Sequence, residues 1–175
     1  CQVLPPGFPG YKPYCPYTAG SSTTKWTGPN MAKAQQLVNA SGTKGATVKV
    51  NTTTNTVDRD LGLYFVGLLN KLGYHASLQA LSPDIQYPYA QNSSNNPQFA
   101  FSSWYQDYPA ASDFLNILLG CGSFHPNSNS SPNIAEFCNQ KIQAKMEKHF
   151  KKKHEMLQMP NDLKQRLQTM IRDAT

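Results

Sequence analysis

The chain has 175 residues, of which 39% are hydrophobic and 15% charged, and its net charge is +6. That length fits one domain, or one lobe of something larger, with enough apolar material to bury a core. The charge is not a nucleic-acid signature, because Lys145, Lys148, Lys151, Lys152, Lys153, Lys164, Arg166 and Arg172 crowd the end of the chain, and no dispersed basic-aromatic face remains elsewhere.

Residues 1–29 read as an irregular segment, since "LPPGFPGYKPYCPY" holds too many Pro and Gly residues for regular structure. Its aromatic residues are expected to lie over a core or a cleft. From Pro29 the pattern alternates helix and strand. "PNMAKAQQLVNASG" predicts a helix that starts near Asn30 and stops at Gly42. "ATVKVNT" alternates apolar and polar residues over 46–52, as a strand does. "VDRDLGLYFVGLLNKLG" predicts a helix with Leu61, Tyr64, Phe65, Leu68, Leu69 and Leu72 on its core face and Gly73 at its end.

"YHASLQAL" follows as a second strand and "SPDIQYPYAQ" as a short helix broken by Pro88. "QFAFSSW" reads as a third strand and "SDFLNILL" as the next helix, with Asp113 capping or starting it. A β-α-β-α-β order with short Gly turns predicts an α/β lobe over 30–137, built on a parallel sheet with right-handed crossovers and helices on its faces. "GCGSFHPNSNSSPN" is a polar loop. Two C-terminal helices are expected within 138–175, at about 138–158 and 161–173, separated by Pro160 and with Asn161 able to cap the second. Leu163, Leu167, Met170 and Ile171 form a narrow apolar stripe on that last helix.

Cys1, Cys15, Cys121 and Cys138 allow three pairings. Their spacing within Pro/Gly-rich and Ser/Asn-rich loops favours two local bridges, Cys1–Cys15 and Cys121–Cys138. Neither C-x-x-C nor H-x-x-x-H occurs, which disfavours zinc and thioredoxin-like redox chemistry. Structural disulfides imply an oxidising, extracytoplasmic compartment. No apolar run approaches membrane-spanning length, and no signal peptide is present. The chain starts with Cys rather than Met, so it is expected to be a processed product or a piece of a longer protein. A lipid-modified amino-terminal Cys is a further option, although a stapled loop follows it rather than a polar tether.

No enzymatic constellation is complete. G-x-S-x-G is missing, and "GTKG" has neither P-loop spacing nor a following helix. His75, His125, His149 and His154 share no ligand spacing. The reading is therefore a non-enzyme with no catalytic residues, no cofactor and no metal. One feature invites a ligand: Asp107 lies beyond the third predicted strand, beside Trp104, Tyr105 and Tyr108. Ligands of parallel α/β sheets bind beyond the carboxyl ends of the strands. A carboxylate among aromatic rings suits an ammonium group through charge-assisted hydrogen bonds and cation–π contact. Turn chemistry before Tyr-Pro is the competing reading of the same residue.

"WYQDYPAASDFLN" resembles the W-x-x-D-[YF]-x-x-P-x-x-F-L-N segment of the oligopeptide and dipeptide substrate-binding proteins of bacterial ABC importers, solute-binding family 5. "MAKAQQLVNASGTKGATVKVNT", "DLGLYFVGLLNKLGYHASL" and "PNIAEFCNQKIQAKM" resemble further segments of that family in the same order. "CQVLPPGFPGYKPYCPYT" resembles the loop of actinobacterial members, in which paired cysteines are familiar. The resemblance covers residues 1–146 and implies a type-II periplasmic-binding fold whose two lobes close on a peptide or other small solute. This chain would be part of the C-terminal lobe, its partners being the missing N-terminal lobe and the membrane subunits of the importer. Asp107 would take the ligand's α-ammonium group, with Trp104 and Tyr105 lining the cleft. Two departures stand out: Pro109 and Ala110–Ala111 replace the usual acidic-Pro stretch, and Gln143 stands where the family often has Asp. A ligand-sensing domain of a larger receptor, and a protein-interaction module using the basic tail, are the alternatives from other classes.

Overall fold

A computed structural model describes residues 1–157, and the side chains of residues 1–150. It divides into two compact units, Cys1–Phe137 and Cys138–Thr175. The first unit carries a three-stranded parallel sheet of order β2-β1-β3, formed by β1 (Thr47–Thr53), β2 (His75–Leu81) and β3 (Phe99–Ala100). The helices of this unit are α1 (Met31–Ser41), α2 (Thr56–Leu72), α3 (Pro83–Gln91) and α4 (Ala111–Leu119). The predicted α/β class with a parallel sheet is what forms.

Strand order dictates where the helices go. From β1 the chain moves one way to β2, then back across β1 to β3. With right-handed crossovers, that reversal puts α2 and α3 on opposite faces. Accordingly β1 is the central strand and is buried on both sides from Val50 to Thr53, polar Asn51 included. The reversal also opens a crevice beyond the carboxyl ends of β1 and β3, the position where open α/β sheets bind ligands.

Local chemistry sets the element ends. Asn30 caps α1, its side chain accepting the Lys33 amide at 3.0 Å, and Gly42 ends the helix in the left-handed region at φ 70°. Gly73 ends α2 in the same way, at φ 97°. Of the predicted α2 face, Phe65, Leu68, Leu69 and Leu72 are half-buried, whereas Leu61 and Tyr64 are exposed, and buried Gly62 also meets the sheet. A Cβ there would come within 2.5 Å of Thr52 Cγ2 and 2.6 Å of Leu78 Cδ1. Only a glycine leaves room for these two side chains against the helix.

Two further expectations are corrected. Pro88 lies inside α3 without breaking it. The third strand is much shorter than "QFAFSSW", because only Phe99 and Ala100 pair with β1. Phe99 and Phe101 instead direct their rings at Phe65 of α2, with centroids 5.0 and 5.5 Å away. Ser102 and Ser103 are exposed, so nothing extends the sheet past that aromatic cluster.

The amino-terminal segment folds back on the lobe. Thr18 bridges Pro29, and Asn30 donates its amide to the Tyr17 carbonyl at 3.1 Å, leading directly into α1. Phe8 packs edge-on against Phe114 of α4 with ring centroids 5.1 Å apart, so its aromatic covers the core as expected. Cys1 and Cys15 form a disulfide. Cys121 and Cys138 are disulfide-bonded as well, and no described cysteine is free. Asn133 is fully buried and holds the polar loop, donating to the carbonyls of Gly120 (3.1 Å) and Phe137 (2.7 Å) and accepting the Phe137 amide (3.3 Å).

In the second unit, α5 (Gln140–Leu157) starts after Asn139, whose side chain accepts the amides of Lys141 and Ile142. The helix expected over 161–173, with Pro160 and Asn161 before it, lies outside the described residues. Among those described, no helix is long and apolar enough to cross a membrane.

Candidate functional site

Beyond β3 the chain runs irregularly from Phe101 to Ala110 before α4 begins. The Phe101 amide is still held by the Asn51 carbonyl of β1 at 3.0 Å, and buried Gln86 of α3 donates to the Phe101 carbonyl at 3.0 Å. These two bonds fix the exit from the sheet at the crevice. The segment then carries all four residues singled out in the sequence. Asp107 stands seven residues past the last paired residue, farther from the strand end than the sequence pattern implied.

Asp107 is exposed and flanked in sequence by exposed Tyr105 (85%) and Tyr108 (44%). Trp104 is half-buried, and its indole nitrogen is buried without a hydrogen-bond partner. The Asp107 amide donates to Oδ2 of Asp113 at 2.9 Å. Asp113 is completely buried at the third position of α4, and its Oδ1 has no partner. Its carboxylate thus reaches back to the anchor segment instead of capping the start of its own helix. Neither Asp107 nor Asp113 forms an ion pair among the described residues. The predicted residues therefore share one segment, but they do not wall a closed pocket.

Cavities lie elsewhere. One of about 650 Å³ runs along residues 96–100 and 134–136, beside β3. A second, of about 270 Å³, lies between Tyr17, Trp26 and Pro29 and the α1 residues Lys33, Ala34 and Leu37. A third, of about 230 Å³, involves Asn51, Tyr89, Asn95 and neighbouring polar residues. None of the three is lined by residues 104–108. Among the described residues no group of three or more His, Cys, Asp or Glu side chains is placed to hold a metal ion.

The sequence reading missed three buried amides. The side-chain oxygens of Asn51, Gln79 and Gln86 are buried without a donor. Asn51 and Gln79 are register partners on β1 and β2, and so point to the same face of the sheet. Buried acceptors of this kind are commonly served by ordered water. Asn51 is a polar position of the alternating segment 46–52, and its place on the central strand buries it.

Asp107 is thus an exposed carboxylate on the segment that leaves β3, close in the chain to Trp104, Tyr105 and Tyr108. Residues 2–126 match the family described as bacterial extracellular solute-binding proteins, family 5 Middle, and the chain belongs to that family.

Solved structures of similar fold include the clavulanic acid biosynthesis oligopeptide binding protein 2, at 18% identity and TM-score 0.63 over 81% of this chain. The Escherichia coli murein tripeptide binding protein MppA is similar at 21% identity and TM-score 0.60 over 80% of the chain. The periplasmic binding protein DppA of Helicobacter pylori, solved in complex with the peptide STSA, is similar at 18% identity and TM-score 0.53 over 81%. The chain spans 26%, 26% and 28% of those three proteins. Comparison with curated protein sequences finds no match.

Proposed function

We propose that the chain is part of the C-terminal lobe of an extracytoplasmic solute-binding protein that presents peptides to an ABC importer, and that Asp107 receives the peptide's ammonium group. The observation that carries this reading is an exposed aspartate with no cationic partner among the described residues, beyond β3 and near Trp104, Tyr105 and Tyr108 in the chain. Family membership supports the solute-binding role, and a similar fold was solved with a bound peptide. An open surface around Asp107 suits one wall of a cleft whose other wall is a second lobe.

NMR titration of the chain with trialanine and with N-acetyl-trialanine tests the ammonium assignment. Free-amine peptide should shift the resonances of residues 104–108 with millimolar affinity, while the acetylated peptide and the Asp107→Asn variant should show no such effect. Equal responses to the two peptides would remove Asp107 as an ammonium site. Micromolar or tighter binding would contradict the half-cleft.

A second reading, a protein-interaction module, rests on the cluster of basic residues from Lys145 to Arg172. Removing residues 145–175 separates the two, since binding at Asp107 does not depend on that segment.

A further inference from the structure

Residues 102–107 cross a gap between two fixed points. On one side Phe101 is held by Asn51 and Gln86; on the other α4 begins, with Phe114 packed against Phe8. Between them, among the described residues, one hydrogen bond fastens the chain: the Asp107 amide to Asp113 Oδ2. Resting on the ligand reading given above, we propose that Asp113 is the positioning residue for the Asp107 anchor. It fixes the backbone from which the Asp107 side chain projects, and so sets the affinity for cationic ligands without touching them.

The chemistry of Asp113 favours this role over plain helix capping. Burying a carboxylate is costly unless hydrogen bonds and favourable fields offset it. At the third position of α4 the helix dipole supplies part of the offset, and the Asp107 amide supplies a charge-assisted bond. The helix's own first turn takes nothing from this side chain: Asp113 Oδ1 has no partner. A serine or asparagine would cap α4 at far lower desolvation cost. What the carboxylate adds is a strong acceptor for the Asp107 amide.

A similar device occurs at the passage from β1 to α2. Asp58, third residue of α2, accepts the Thr53 hydroxyl at 2.5 Å, and Thr53 Oγ1 in turn accepts the Asn55 amide at 3.2 Å. In both passages an acid one turn into a helix clamps the segment entering it. At α2 the clamped residue belongs to the end of a strand; at α4 it is the candidate anchor itself.

Amide hydrogen exchange and peptide titration on the 175-residue chain test the proposal together. In the wild type the Asp107 amide should exchange at least tenfold more slowly than those of Ser103 and Gln106, which have no acceptor among the described residues. Asp113→Ala should erase that protection and weaken trialanine binding by up to about fivefold, the whole value of an exposed ion pair. Asp113→Asn keeps an acceptor and should restore most of the protection, but not all of the affinity. Protection of α4 amides and the thermal midpoint serve as controls for folding.

If the Asp107 amide exchanges as fast as its neighbours in the wild type, the clamp does not exist, whatever the variants do. If Asp107→Asn abolishes binding while Asp113→Ala leaves affinity unchanged, the positioning role is overturned and the anchor stands. If Asp107→Asn itself changes nothing, the anchor reading fails, and the positioning role fails with it.

Discussion

Gly62 offers the most direct test of how α2 sits on the sheet. A methyl group at this position would lie 2.5 Å from Thr52 Cγ2 and 2.6 Å from Leu78 Cδ1, well inside van der Waals contact. Thr52 is fully buried, and its hydroxyl is bonded to the Thr53 carbonyl at 3.1 Å, so the β-branched side chain has little room to turn away. Overpacking of this kind costs about 1–3 kcal/mol, and the stiffness of Thr52 argues for the upper end. Against it stands the helix-propensity gain of Gly to Ala, about 1 kcal/mol. The net expectation for Gly62→Ala is a loss of about 2 kcal/mol.

The same helix supplies its own control, because Gly67 is exposed and an added Cβ meets nothing within 4 Å. Gly67→Ala should therefore keep the whole propensity gain and stabilise by about 1 kcal/mol. The two substitutions, identical in chemistry and five residues apart, should differ by about 3 kcal/mol in urea unfolding with unchanged m-values. For a unit of this size that is roughly 10 °C between their melting midpoints. If Gly62→Ala proves as stable as Gly67→Ala, the close approach of α2 to β1 and β2 is wrong, and with it the account of the core face.

Two further outcomes concern the parts that frame the site. Asn133→Ala removes three hydrogen bonds from a fully buried position and leaves the carbonyls of Gly120 and Phe137 without that donor; a loss of about 3 kcal/mol in urea unfolding is expected. Replacing Cys1 and Cys15 together by Ser opens a loop with a sequence separation of 14, and chain entropy puts the cost at about 3 kcal/mol. Without that disulfide the Phe8–Phe114 contact should loosen, visible as changed resonances at the start of α4.

Regular elements with glycine punctuation were legible because the relevant physics is local. Gly42 and Gly73 end helices in the left-handed region, and Asn30 caps, wherever the tertiary structure goes. Failures came where packing overrode pattern. Leu61 and Tyr64 have the right spacing for a core face, yet they are exposed, while the sheet also meets α2 at Gly62, a residue with no apolar signal at all. "QFAFSSW" has strand composition, but its two Phe residues satisfy themselves on Phe65, and the pairing stops at Ala100. The location of Asp107 beyond a parallel strand was readable from element order. Asp113 was read as a cap because its sequence position is that of one; only the fold brings the Asp107 amide within 2.9 Å of it.

The proposed anchor also explains why a single lobe should bind weakly. An ammonium meeting Asp107 on an open surface gains what an exposed ion pair gains, at most about 1 kcal/mol, or roughly fivefold in affinity. Tyr105 and Tyr108 add little while water reaches both faces of their rings, since cation–π contact strengthens only on desolvation. A second wall over the same residues changes each quantity at once: it excludes water, raises the charge-assisted bond to about 1.5–3 kcal/mol, and makes the aromatic contacts count. On the proposed reading affinity is then created by closure, and Asp107, its amide held by Asp113 at 2.9 Å, is the point that a second wall would cover.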